Sequence, residues 1–300
     1  MKRLFIIFSS ACLAAVSLAG CEGQHITYSG PSYVGFADTL SVYPVQQSGE
    51  PFGVDIAATQ ACGYDRTFGV EVITQASNAS YGRHYTLESE SVVIKAGERT
   101  AKIYVKGIYD NIEASDSLGF ALRLVSTEDV EWDLYGLETK VIMQKSCPFD
   151  IHDFTGYCLV TSSFLKKYGG SATKLAHCEM VEGEQNTILI KGLLYDGFDV
   201  KMKFDPSNLL NPAFRLAGRQ AVADTRVPFG YIYGNGLILA EDAQGAPNIF
   251  NSCQKAAIQY LTLKIDGMTD EEFAEMGTNM VGTFVNVIEW ISDDEAESYK

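Results

Sequence analysis

Beyond its first twenty residues the chain has no apolar run long enough to cross a bilayer as a helix, which takes about 20 residues. Histidine is scarce: His25, His84, His152 and His177 are scattered, and none stands in His-Glu-x-x-His spacing. No Cys-x-x-Cys pair exists, which argues against a thiolate metal site. There is no Gly-x-Ser-x-Gly nucleophile elbow, because Gly170-Ser171 does not run on to the second glycine. Nor is there a Walker loop, and Gly234-Asn235-Gly236 lacks the third glycine and the following helix of a dinucleotide site. Basic residues are in deficit as well, 23 against 38 acidic ones, for a net charge of −15. That balance argues against nucleic acid as a partner and against direct attraction to anionic lipid heads. Carboxylates are plentiful enough to hide an acid/base pair at glycosidase spacing, but abundance by itself assigns none.

What is present starts at the N-terminus. Lys2 and Arg3 precede an apolar run from Leu4 to Ala19, the layout of a secretory signal peptide. The run closes on Leu18-Ala19-Gly20-Cys21, which resembles the bacterial lipobox. That resemblance implies a signal peptide over 1–20, an acylated Cys21, and a lipidated tether over 21–31. It also implies a protein anchored to the membrane through lipid rather than spanning it. Losing Lys2 and Arg3 takes the net charge to −17. The expected location is the cell envelope, as an outer membrane lipoprotein. The leaflet stays open, because Glu22 stands alone where Bacteroidetes surface-export signals carry an acidic run.

Five cysteines remain after Cys12 and Cys21: Cys62, Cys147, Cys158, Cys178 and Cys253. Cys158 and Cys178 flank Tyr168-Gly169-Gly170 nearly symmetrically, so a disulfide across a hairpin is one reading. Buried free thiols are the other.

From 32 to 147 the pattern is β almost throughout. Strands are expected at 32–36, 39–43, 53–59, 69–74, 92–95, 100–106, 119–126 and 138–144, each short and rich in Val, Ile, Tyr and Phe. In 100–106 the alternation sends Ala101, Ile103 and Val105 to one face. Strands at this spacing predict an antiparallel sandwich. The segments Val70-Glu-Val-Ile-Thr74, Gly82-Arg-His-Tyr85, Val92-Val-Ile-Lys-Ala-Gly-Glu98, Asp110-Asn-Ile-Glu113 and Phe120-Ala-Leu-Arg-Leu124 are similar to the Calx-beta pattern. The resemblance covers about residues 32–145 and implies an immunoglobulin-like fold. It departs at His84, where that family usually has Asp before the tyrosine, which weakens a calcium inference from that position. Asp110, Glu113 and Asp116 remain as calcium candidates, set against the plainer reading of a solvated loop that keeps an edge from pairing. Glu128, Asp129, Glu131 and Asp133 around Trp132 form a similar acidic group. Asp38-Thr39-Leu40 and Asp116-Ser117-Leu118 resemble the O-glycosylation acceptor of exported Bacteroidetes proteins.

Ser146-Cys147-Pro148 ends the first domain, since proline removes a backbone donor. The short link implies two domains that either pack together or at least cannot wander far from each other. Over 148–300, further strands are expected at 157–164, 174–181, 187–194, 199–204, 214–221, 231–239, 258–265 and 282–291. One short helix is expected at 270–276, with Thr269 as its cap and Glu272 completing a capping box. Eight strands in succession suggest an up-and-down barrel or a second sandwich, and Asp153-Phe-Thr-Gly-Tyr157 resembles the opening of lipocalin-like barrels. Tyr231 and Tyr233, two apart on an expected strand, would share a face and offer a stacking platform for a sugar ring; alternatively they are core.

The whole resembles the two-domain lipoproteins of Bacteroidetes. The expected role is non-catalytic binding or accessory work, with a glycan or protein ligand, no catalytic residues, no cofactor beyond candidate calcium, and an open oligomeric state. A structural or adhesive module and an envelope hydrolase with a hidden carboxylate site are the alternatives.

Overall fold

The computed structural model describes residues 30–125 and 136–299. The first domain is a two-sheet sandwich. One sheet orders β1 (Val34–Phe36), β3 (Phe52–Ala58), β7 (Thr100–Gly107) and β5 (Tyr85–Leu87). The other orders β2 (Leu40–Gln46), β9 (Glu138–Ser146), β8 (Leu118–Val125), β4 (Arg66–Val72) and β6 (Ser91–Ile94). β7 shows why the sheets pack: Ile103 and Val105 are buried while Lys102, Tyr104 and Lys106 face water. Between the sheets Tyr85 stacks on Phe120 at 3.9 Å between ring centroids, and burial pushes the Tyr85 hydroxyl up to about 12. β5, three residues long, had no pattern to announce it.

One pairing departs from an all-antiparallel sandwich. β2 and β9 run parallel, from Leu40 opposite Lys140 to Gln46 opposite Ser146. The two strands therefore leave the sandwich at the same end, so the turn after β2 lies beside the link into the second domain.

The second domain is a closed barrel. β10 (Gly156–Ser162), β11 (Thr173–Met180), β12 (Thr187–Lys191), β13 (Val200–Asp205) and β14 (Ala213–Leu216) form a meander. It continues through β17 (Ile249–Asn251), β18 (Ala256–Ile265) and β19 (Met280–Trp290), and β19 returns to pair with β10. A hairpin of β15 (Gln220–Asp224) and β16 (Leu237–Asp242) adds on, with β16 and β17 sharing one edge of β18. The Gln220 side-chain amide stands in for a strand here: its Oε1 accepts the Lys201 N–H and its Nε2 donates to the Lys201 carbonyl, both at 2.8 Å.

Side chains fill the barrel interior. At the end facing the first domain Phe149, Phe154, Phe204, Phe214, Phe250 and Trp290 interlock, with Phe154 and Phe204 centroids 4.6 Å apart. At the other end helix α1 (Ser163–Tyr168) inserts Phe164 edge-on against Phe284. Between them Gln259 and Asn286 are fully buried, and the Asn286 amide donates to Gln259 at 3.0 Å. Small barrels are filled in this way.

Several expectations change. The expected strand at 214–221 is broken into β14 and β15 by a turn with Gly218 at φ +89°. The expected strand at 231–239 begins only at Leu237; before it lies helix α2 (Arg226–Phe229), ended by left-handed Gly230. The single expected helix becomes four among the described residues: α1, α2, α3 (Asp270–Met276) and α4 (Asp293–Ala296). α3 carries the expected capping box, with the Thr269 hydroxyl accepting from the Glu272 N–H and the Glu272 carboxylate from the Thr269 N–H.

Cysteine pairing also differs. Cys147, just past β9, is bonded to Cys253 in the turn between β17 and β18, across 106 residues of sequence. Cys158 and Cys178 do come together inside the barrel, but as thiols 3.4 Å apart, because the register sets them diagonally on β10 and β11 rather than opposite. The hydrogen bond shared with Cys178, then burial, pushes the Cys158 thiol well up.

Candidate functional site

The two hydrophobic cores share no residue, so the way the domains meet depends on the link, the disulfide and the surfaces beside them. Around the Cys147–Cys253 bond the first domain reaches over. The Tyr109 hydroxyl donates to Cys147 Sγ at 3.2 Å, and the Lys145 ammonium lies 4.3 Å from the centre of the Tyr109 ring. In the turn that carries Cys253, Asn251 Oδ1 accepts the N–H groups of Cys253 and Gln254.

A cleft of about 560 Å³ opens at this junction. That is within the range of roughly 300–1,000 Å³ typical of small-molecule sites, which favour domain interfaces. The first domain contributes Gln46, Gln47 and Ser48 from the turn after β2, with Gln144 and Lys145 from the end of β9. The parallel pairing of β2 and β9 is what brings these amides together. The barrel contributes its outer face, where Ile258 and Val287 alternate outward from β18 and β19, and the loop from Pro206 to Pro212 with Leu209 and Leu210. Ile258 is 39% and Leu209 40% exposed, apolar surface left open to water on the cleft wall. Amides and hydroxyls from Asn251, Ser252 and Gln254 complete the lining.

The lining is mostly apolar side chains, amides and hydroxyls. Lys145 and Glu289 are its only charged side chains, and no histidine lines it. Hydrolysis of a glycosidic bond by acid/base catalysis calls for two carboxylates about 5–10 Å apart, and the cleft has one. Its serines have no neighbouring base in the lining to activate them.

Among the described residues, none of the ligand, metal or disulfide-pair candidates expected from sequence lines this cleft. Tyr231 is 71% exposed in the loop before β16, and Tyr233 is half-buried with its ring edge-on to Phe229 at 5.5 Å. They do not share a strand face, because Thr225, fully buried, takes the Tyr233 N–H on its hydroxyl and curls the segment. Asp110, Glu113 and Asp116 are exposed and not gathered into a ligand set: Asp116 accepts the Glu113 N–H at 2.8 Å, closing a turn. Among the described residues no group of three His, Cys, Asp or Glu is placed to hold a metal ion. His84 is buried, its Nδ1 accepting the Ser80 N–H. Cys21, and the acidic group Glu128, Asp129, Glu131 and Asp133, lie outside the described residues. The one cleft element that sequence marked was its floor, the Ser146-Cys147-Pro148 boundary.

Residues 134–300 match a family model described as "Domain of unknown function (DUF4984)", which takes in β9 and the whole barrel. No curated protein matches the chain. Among solved structures, the apo-form Calx CBD1 domain aligns with 39% of this chain and 98% of its own at 15% identity, TM-score 0.32. A Bacteroides ovatus protein of unknown function aligns over 86% and 94% at 8% identity, TM-score 0.35. An auxiliary nutrient binding protein from Bacteroides thetaiotaomicron aligns over 84% and 90% at 12% identity, TM-score 0.29.

Proposed function

The chain belongs to the DUF4984 family of domains of unknown function, and from that premise we propose that it is a non-catalytic binding protein of the cell envelope. Anchored by lipid at Cys21, it captures a glycan in the cleft between its sandwich and its barrel. One observation carries this reading: a cleft of about 560 Å³ whose walls join apolar patches to uncharged amides and hydroxyls. Sugar rings present that same pairing, apolar C–H faces ringed by hydroxyls. Isothermal titration of the protein against a panel of soluble oligosaccharides tests it. Binding that is lost on Ile258→Trp, which fills the cleft from its wall, is the expected result. A panel without binding, or binding indifferent to Ile258→Trp, removes the reading.

A second reading, a module that contacts protein partners, is favoured by the exposed side chains at the far end of the barrel. Tyr231 and Ile232 are 71% and 62% exposed, and Phe273 on α3 is 50% exposed. Tyr231→Ser with Ile232→Ser leaves glycan binding untouched and abolishes surface adhesion if that reading holds.

A further inference from the structure

Glu289 is the one carboxylate in the cleft. The alternation of β19 turns it outward with Val287, while Ile288 and Trp290 go into the barrel. Its cross-strand neighbours are Ala256 on β18 and Leu159 on β10, so neither flank supplies a charge or a donor side chain. Two cations are near in the fold, and both are engaged elsewhere. Lys255, next to Ala256, pairs with Asp153 at 2.7 Å. Lys145 lies over the Tyr109 ring. The Glu289 carboxylate thus has no hydrogen-bond or ion-pair partner among the described residues.

A ligand that fills the cleft strips water from this carboxylate. An ionised group that loses water without gaining a partner is penalised heavily. A hydroxyl offsets part of that loss; a protonated amine offsets more, through a charge-assisted hydrogen bond roughly twice as strong as a neutral one. The net charge of −15 adds a long-range attraction of the same sign.

We infer that the cleft selects a ligand that presents a protonated amine to Glu289. This rests on the cleft being the binding site and narrows what occupies it. Amino sugars and lysine-bearing peptides share the chemistry, and the amide and hydroxyl lining with the surrounding apolar wall favours the amino sugar.

The test is calorimetric titration of the full lipid-free chain, residues 22–300, with three probes: tetraglucosamine, its fully N-acetylated counterpart, and a lysine-centred tetrapeptide. The first two share a backbone and differ in charge. Tetraglucosamine is expected to bind at least tenfold more tightly than the acetylated oligomer. Glu289→Gln, an isosteric surface change whose folding is checked by circular dichroism, should bring the two within about twofold of each other. Equal affinity for both oligomers in the unmodified protein overturns the inference and leaves glycan capture standing. Binding of the peptide alone, lost in Glu289→Gln, supports the amine and overturns the sugar. Silence from all three probes overturns both.

Discussion

Glu272 carries two structural duties at once. Its Oε2 accepts the Thr269 N–H at the start of α3, and its Oε1 accepts the Gly234 N–H from the loop before β16. The backbone N–H of Thr269, then that of Gly234, holds its carboxyl below the usual glutamate range. A depressed carboxyl contributes stability that is complete above the ordinary value and is lost as pH falls through its own lowered one. Glutamine keeps only one oxygen, so one of the two N–H groups loses its acceptor. Glu272→Gln is therefore expected to lower the thermal midpoint at about pH 7, with a smaller deficit at about pH 3. A deficit equal at both pH values in circular dichroism melts would contradict this. Asp242 has the opposite sign. Burial raises its carboxyl, although Leu216 N–H and Asn248 Nδ2 both donate to it. The folded state then holds the proton more tightly than the unfolded one, so stability falls as pH rises from the ordinary aspartate value through the raised one. Asp242→Asn should flatten that decline in urea midpoints measured between about pH 4 and 7. Gly234 belongs here too, since a Cβ would collide with the Asp266 carbonyl oxygen. Capping at Thr269 and Glu272 was legible because the motif is local. The expected strand at Tyr231 and Tyr233 is a loop instead, because period-two spacing also occurs in loops, and the buried Thr225 that bends this one gives no periodic signal.

At the scale of elements, the cleft is made by two features working together. The parallel run of β2 beside β9 delivers Gln46 and Gln144 to one end of the sandwich. The Cys147–Cys253 bond then holds that end against the turn between β17 and β18. Closing so long a loop constrains the unfolded chain, an effect of about 2–4 kcal/mol on chain-entropy grounds. Paired Cys147→Ser and Cys253→Ser substitution should lower stability by about that amount and weaken any cleft ligand beyond it. Urea titration alongside a binding measurement separates the two; loss of stability with affinity intact would mean that packing alone sets the cleft. Strands such as β7 were readable from alternation. β5 and β17, three residues each, are too short to show a period, and β14 and β15 read as one strand because the turn between them is brief.

For the molecule as a whole, two independent cores joined by one short link and one covalent bond predict how it unfolds. Oxidised protein should lose both domains in closely coupled steps, and reduced protein should show two separate calorimetric transitions. A single transition in both states would mean that the domain interface, not the disulfide, couples them. The proposed anchor is tested at this scale as well. Cys21→Ser is expected to move the protein from the membrane to the soluble fraction of cell extracts, because the anchor proposed is lipid at that cysteine rather than a spanning segment. Retention in the membrane fraction would sink that expectation. Among the described residues no helix is long and apolar enough to cross a membrane.

The sequence by itself determined what depends on neighbours along the chain. The β alternation and the capping box before α3 both stem from forces acting within a few residues. Only the tertiary structure decided what depends on distant residues meeting. Barrel closure of β19 onto β10, the choice of Cys253 over nearer partners for Cys147, and the diagonal register that leaves Cys158 and Cys178 as thiols belong to this second class. So does the cleft, whose walls come from segments over 200 residues apart, from Gln46 to Glu289. Periodicity says which face a side chain takes; it holds no information on which remote face comes to lie opposite.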